Sequence, residues 1–254
     1  MADVGGDVTE RLLADAGVAA GMQVLDIGCG RGDVSLMLAR RIGGAGRVLG
    51  IDHDAAAVAA ANQRARELGV PNLHFTQADL GALGPEFGPF DAIVGRRVLM
   101  YLPEPLLALR QLAAVLRPGG LVVFQEHDAT MVPGRLTPLP LHEQAHRWVW
   151  QTVEREGADI HVGFKLATLF TQAGLVVECV RAEAIVQTPT GQQHSTEAIV
   201  RAMLPRIVQH GVASATEIDV DTLGARLAAE RAQANATYVG DMIFGAWAHK
   251  PGEP

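Results

Sequence analysis

The sequence predicts an α/β protein built on a doubly wound, mostly parallel sheet of seven strands, with helical insertions forming a cap. Three observations carry that prediction. Strand-like and helix-like segments alternate through the first half of the chain, with short turns between them. The strands (VLDI, AIV, LVVF) are apolar along their length, as strands covered on both faces are. A buried strand also runs straight into a glycine-rich turn that opens a helix, at Val24–Gly32.

The elements follow in order. Thr9–Ala16 has the spacing of a short amphipathic helix, with Thr9 as its N-cap. Met22–Ile27 is a strand stopped by Gly28, and the helix after it closes at Gly43-Gly44. Arg47–Ile51 is the second strand, followed by an alanine-rich helix from Asp54 to Leu68. Leu73–Gln77 and Phe90–Val94 are the third and fourth strands. A helix at Leu106–Leu116 is stopped by Arg117-Pro118-Gly119-Gly120, and Leu121–Gln125 is the fifth strand. Beyond it, Leu141–Glu156 is a helix, because Leu141, Ala145, Trp148, Val149 and Val153 recur at helical spacing. Leu175–Val180 and Met242–His249 are the sixth and seventh strands, with helices near Ser195–Gln209 and Asp221–Ala234 between them. The expected organisation is one domain, 1–254, capped by insertions at about 129–165 and 192–236.

Composition narrows the function. With 48% apolar and 19% charged residues over 254 positions, the chain can bury a large core. A formal net charge of −7 opposes docking on nucleic acid or anionic lipid. Two distant cysteines, Cys29 and Cys179, fit a reducing compartment. The N-terminus carries Asp3, Asp7 and Glu10 and no basic stretch, so no secretory leader is expected. No apolar run approaches the ~20 residues of a membrane span. The expectation is a soluble cytoplasmic protein that acts on a small molecule; self-association is left open.

The glycine turn, Asp26-Ile27-Gly28-Cys29-Gly30-Arg31-Gly32, can bring its backbone close to a ligand. Asp52, at the end of the second strand, can accept from both hydroxyls of a ribose. Asp79, after the third, can accept from an adenine amino group. A dinucleotide fits poorly, because position 33 is Asp33 instead of glycine and Asp26 and Asp33 would face a pyrophosphate. A nucleoside carrying a zwitterionic amino acid fits better, which points to S-adenosylmethionine.

These motifs, with Ala78-Asp79, Phe90–Val94 and Leu116-Arg117-Pro118-Gly119-Gly120, resemble the class I S-adenosylmethionine-dependent methyltransferases. Gly95–Pro105 is similar to the ubiquinone/menaquinone-biosynthesis type, and the resemblance covers about residues 20–127. It implies a Rossmann-like methyltransferase fold with strand order 3-2-1-4-5-7-6, the seventh strand antiparallel. By the same resemblance Gly28, Cys29 and Gly30 would cradle the methionine part, supported by Asp26. Asp52 would hold the ribose, with His53 against the adenine. Ala78, Asp79 and Leu80 would take the base, and Gly95 and Arg96 would border the methionyl end.

The acceptor half is less determined. The Asn/Asp-Pro-Pro-Tyr-like turn of many base-methylating enzymes is replaced by Val94-Gly95-Arg96-Arg97, so a nucleic-acid base is disfavoured. Oxygen is favoured over nitrogen or carbon as the atom methylated. His127, in Glu126-His127-Asp128, is the candidate general base. Tyr101 and Trp148, with Trp150, are candidates to line an apolar or aromatic acceptor site. His142-Glu143-Gln144-Ala145-His146 matches a zinc-protease spacing, but no third ligand follows, so no metal is assigned. The alternative is a non-methylating reaction on the same fold, such as a cyclisation.

Overall fold

The computed structural model describes residues 4–84, 87–131, 134–190 and 195–252. Seven strands form one sheet: β1 (Gln23–Ile27), β2 (Arg47–Asp52), β3 (Leu73–Gln77), β4 (Phe90–Arg96), β5 (Leu116–Asp128), β6 (Val176–Gln187) and β7 (Tyr238–His249). Their order is β3-β2-β1-β4-β5-β7-β6. The first five pair in parallel; Leu25 on β1 stands opposite Leu49 on β2 and Ile93 on β4. β7 runs antiparallel to β5. Lys250, after the end of β7, donates to the Gly120 carbonyl near the start of β5 and accepts from Gly119 N–H. The sheet is therefore mixed, with every parallel pair fed by a crossover.

Nine α-helices lie among the described residues: α1 (Val4–Asp15), α2 (Asp33–Ile42), α3 (Ala55–Glu67), α4 (Pro105–Ala114), α5 (Pro140–Arg155), α6 (Leu166–Gln172), α7 (Ser195–Gln209), α8 (Ala215–Ile218) and α9 (Val220–Ala234). The expected helix start at Thr9 is corrected. α1 begins at Val4, and Thr9 is buried inside it, donating from Oγ1 to Gln125 Oε1 at 2.8 Å. A threonine that finds a tertiary acceptor can sit mid-helix, although its local preference is the cap. Asp54 does cap α3, its Oδ1 accepting from Ala56 N–H at 2.8 Å. The expected stop at Arg117–Gly120 lies inside β5. Phe90 pairs with Leu116 and Ala92 with Leu121, so the residues between are looped out as an irregularity of one strand.

The chain divides into two compact units. The first comprises Met1–Glu126, Val162–Ala182 and Phe244–Pro254, and the second His127–His161 and Glu183–Ile243. In the first, the buried strand residues Val24, Val48, Ala92 and Val123 share a core with Leu38 and Ile42 of α2 and with Val58 and Ala61 of α3. In the second, α5, α7 and α9 pack on one another. The expected insertions fall mostly in this second unit; residues 132, 133 and 192–194 lie outside the described residues. Among the described residues no helix is long and apolar enough to cross a membrane.

Candidate active site

In the first unit, the residues expected to hold a nucleoside converge at the carboxyl ends of β1 to β4, where ligands of open α/β sheets bind. A cavity of about 420 Å3 is lined there by Gly28, Asp52, His53, Ala78, Asp79, Leu80 and Tyr101, together with Ile51, Arg97, Val98, Leu102 and Pro103. A neighbouring one of about 180 Å3 is lined by Asp26, Gly28, Cys29, Gly30, Arg31, Asp33, Val34, Arg96 and Arg97. Gly28 and Arg97 belong to both.

The turn after β1 explains why glycine stands there. Gly28 and Gly30 have φ of 59° and 51°, a left-handed conformation that costs a residue with a Cβ about 1–2 kcal/mol. A Cβ on Gly28 would also lie 2.6 Å from Val98 Cγ2. The turn is tied to β2 twice: Cys29 N–H donates to the Ile51 carbonyl at 2.9 Å, and Gly30 N–H donates to Asp52 Oδ2 at 2.8 Å. Asp52 Oδ1 accepts from Asp54 N–H at 3.0 Å. His53 Nδ1 also lies 3.3 Å from Oδ1, and Oδ2 retains a further lone pair for a ligand hydroxyl. Asp79 Oδ1 accepts from Gly81 N–H at 2.8 Å, capping a 3-10 turn while the residue lines the larger cavity.

The smaller cavity is lined by groups of both charges, Asp26 and Asp33 with Arg31, Arg96 and Arg97. Asp26 is buried and accepts a hydrogen bond from Ser35 Oγ. Burial pushes its carboxyl up to about 7; Ser35 and Arg96 oppose that rise and Asp52 adds to it. Burial, with Asp26 and Asp52 nearby, pushes the Cys29 thiol up, so Cys29 lines the smaller cavity as a neutral thiol. Asp33 pairs with Arg64, which offsets part of the negative charge expected to face a ligand.

Gly95 takes no part in the lining of either cavity. A Cβ there would meet Phe124 Cε1 at 2.4 Å, so its glycine serves the packing of β4 against a ring on β5. Arg97 and Val98 were not expected in the cavity lining, and Glu126, which lines neither cavity, bonds the backbone beside them. Arg97 is a non-glycine residue at φ 57°, its N–H donating to the Gln125 carbonyl at 2.8 Å. Glu126 is buried, and its Oε1 accepts from Val98 N–H at 3.0 Å and Leu99 N–H at 2.9 Å. An acid directly after an apolar strand was the only sequence signal for it.

The second unit holds the remaining candidates. His127 is half-buried and lies near enough to Asp241 to help hold that carboxyl below its ordinary value. Asp241 Oδ1 accepts from Trp150 Nε1 at 2.8 Å and lies 2.9 Å from His146 Nε2. His146, Trp150, Tyr238 and Asp241 line a narrow cavity with Ile185, Gln187 and four neighbours. Trp148 is buried and takes no part in that lining; Trp150 does. The two histidines of the zinc-like pattern go to different partners. His142 Nδ1 lies 2.7 Å from Glu230 Oε2, and its Nε2 lies 2.7 Å from Arg231 Nη1. Arginine can only donate, so Nε2 accepts and Nδ1–H donates to Glu230. Burial lowers the His142 pKa, consistent with the neutral ring. Among the described residues no group of three or more His, Cys, Asp or Glu is placed to hold a metal ion.

Comparison with known proteins agrees with this geometry. A family model described as a methyltransferase domain matches residues 19–180. The chain belongs to that family, within the class I S-adenosylmethionine-dependent methyltransferases. It is 32% identical over 189 residues to an uncharacterized 37.1 kDa transposon protein of Streptomyces fradiae, covering 72% of this chain and 53% of the relative. It is 32% identical over 124 residues to a demethylmenaquinone methyltransferase of Staphylococcus aureus, covering 49% of this chain and 51% of the enzyme. The chain thus spans about half the length of the curated relatives it matches. Among solved structures, the cyclase SpnF superposes with a TM-score of 0.60 at 21% identity, covering 98% of this chain and 81% of that one. A SAM-dependent methyltransferase from Aquifex aeolicus gives 0.57 at 18%, covering 95% and 89%.

Proposed function

We propose that the chain binds S-adenosylmethionine in the first unit and transfers its methyl group to a small-molecule acceptor, at oxygen ahead of nitrogen or carbon. The observation that carries this reading is the convergence of the glycine turn, Asp52 and Asp79 on one cavity. When bound, the sulfonium supplies an electrophilic methyl group. The chain's own residues hold the rest. Asp52 accepts from the ribose hydroxyls, and Asp79 accepts from the adenine amino group with His53, Ala78 and Leu80 beside the ring. Asp26 and Arg96 line the cavity in which a carboxylate and a guanidinium match the ammonium and carboxylate of an amino acid.

Transfer needs the acceptor held in line and water excluded. We assign that role to Tyr101, which lines the same cavity as Asp52 and Asp79. Where the acceptor is a hydroxyl, His127 removes its proton. Titration calorimetry with S-adenosylmethionine and S-adenosylhomocysteine tests the cofactor: micromolar binding of both is expected, and no binding to folded protein sinks the reading. An acceptor screen that follows S-adenosylhomocysteine then separates the reactions. Methyl transfer releases it stoichiometrically with product, and a cyclisation does not.

A further inference from the structure

Val98, Tyr101 and Leu102 all line the larger cavity from one short segment after β4. The segment contains a 3-10 turn, Leu99–Tyr101, whose N-cap residue Val98 offers no side-chain hydrogen bond. The open amides at its start are met instead by Glu126 of β5, through the bonds to Val98 N–H and Leu99 N–H. Glu126 is completely buried, and its Oε2 has no partner among the described residues. A carboxylate facing successive backbone amides sits in an anion-binding concavity. Packing alone does not call for an acid there. A neutral side chain of the same shape would accept from the same amides without the cost of burying a charge. What the carboxylate adds is charge-assisted bonding, shorter and stronger than its neutral counterpart.

The consequence reaches the glycine turn through one contact. Val98 is held at its N–H by Glu126, and its Cγ2 occupies the space where a Cβ on Gly28 would stand. The turn is therefore fixed from one side by Asp52 and bounded on the other by Val98. We propose that Glu126 is a positioning residue for the cofactor: its ionised carboxylate sets the Val98–Leu102 wall against the glycine turn. The inference rests on the cofactor reading above. Ionisation is the variable that makes it testable. Burial pushes the Glu126 carboxyl up to about 7, while the amides of Val98, Leu99 and Met100 and the charge of Arg97 draw it down.

The test is calorimetric titration of wild type, Glu126→Gln and Glu126→Asp with S-adenosylhomocysteine at pH 6, 7 and 8, with hydrogen exchange of the segment 96–103. Wild type binds more weakly at pH 6 than at pH 8. Glu126→Gln binds about tenfold more weakly at pH 8, the worth of one charge-assisted bond. It also shows a shallower pH dependence, because one of the groups that titrate in that range is removed, and faster exchange at Val98 and Leu99. Glu126→Asp keeps the charge and regains the steeper dependence. Glu126→Gln that binds within twofold of wild type at all three pH values overturns the proposal. So does a variant that loses thermal stability with an unchanged pH dependence of binding. Should Glu126→Gln not fold, an aspartate variant whose binding is flat with pH overturns it alone. Wild type that binds no S-adenosylhomocysteine refutes the cofactor reading instead.

Discussion

Two residues of the first unit bear the nucleoside reading most directly. Asp52 already accepts from Gly30 N–H and Asp54 N–H, so its carboxylate is fixed before any ligand arrives. Asp52→Ala is expected to weaken S-adenosylhomocysteine binding by about 1–3 kcal/mol, since it leaves a loop amide and the ribose hydroxyls without their acceptor. Calorimetry with unchanged affinity would remove Asp52 from the site. Gly28 tests the same turn from its other side. Gly28→Ala places a methyl group 2.6 Å from Val98 Cγ2 on a backbone at φ 59°, and should lower Tm and binding together. Trimming Val98 to alanine in the same chain removes the clash and leaves the backbone strain. Partial recovery in the double variant is the expected coupling; strictly additive losses would mean that the two side chains do not meet.

Among the elements, the helices of the second unit depend on a few polar residues distant in sequence. Glu230 of α9 accepts from the N–H groups of Leu141 and His142 at 2.9 and 3.1 Å, besides the His142 ring, and so caps the start of α5. Glu230→Ala strands three donors in a largely buried setting and should cost about 2–4 kcal/mol in chemical denaturation. A loss below half of that would mean that water replaces the carboxylate. None of this was legible in the sequence. The first four strands were legible because apolar runs such as VLDI stop at glycine, and a helix starting near Asp54 was legible because the signal is local. By contrast, β5, β6 and β7 run past the expected spans Leu121–Gln125, Leu175–Val180 and Met242–His249. Most of the expected residues that line the larger cavity were placed there by a local signal too: each follows a strand within one or two positions. Gly95 lines neither cavity and its missing Cβ makes room for Phe124, and a glycine required by packing and one required by a ligand look alike in a sequence. Thr9, His142 and His146 were read by local pattern, but partners about 90 or more residues away decide them.

At the scale of the whole molecule, these buried groups give stability an uncommon pH dependence. Asp26 and Glu126 are both pushed up to about 7, from ordinary values of 3.8 and 4.5. Between about pH 4.5 and pH 7 the folded chain therefore keeps protons that the unfolded chain has released. Stability falls as pH rises through that window, by up to about 1.4 kcal/mol per pH unit for each carboxyl. His142 works in the opposite sense. Its folded pKa lies below 6.5, so the unfolded chain takes up a proton first, and stability is lost as pH falls below that value. Two carboxyls outweigh one imidazole, and Tm should be higher at pH 5.5 than at pH 8. Asp26→Asn and Glu126→Gln should each flatten the descent. A Tm that climbs steadily from pH 5.5 to pH 8 would show both carboxyls to be ionised and well solvated in the fold. The cofactor should reverse part of this slope. Folding favours the protonated Glu126, whereas binding favours the carboxylate that holds Val98. Saturating S-adenosylhomocysteine should therefore raise Tm more at pH 8 than at pH 6, so that the fold is weakest without ligand where it binds ligand best.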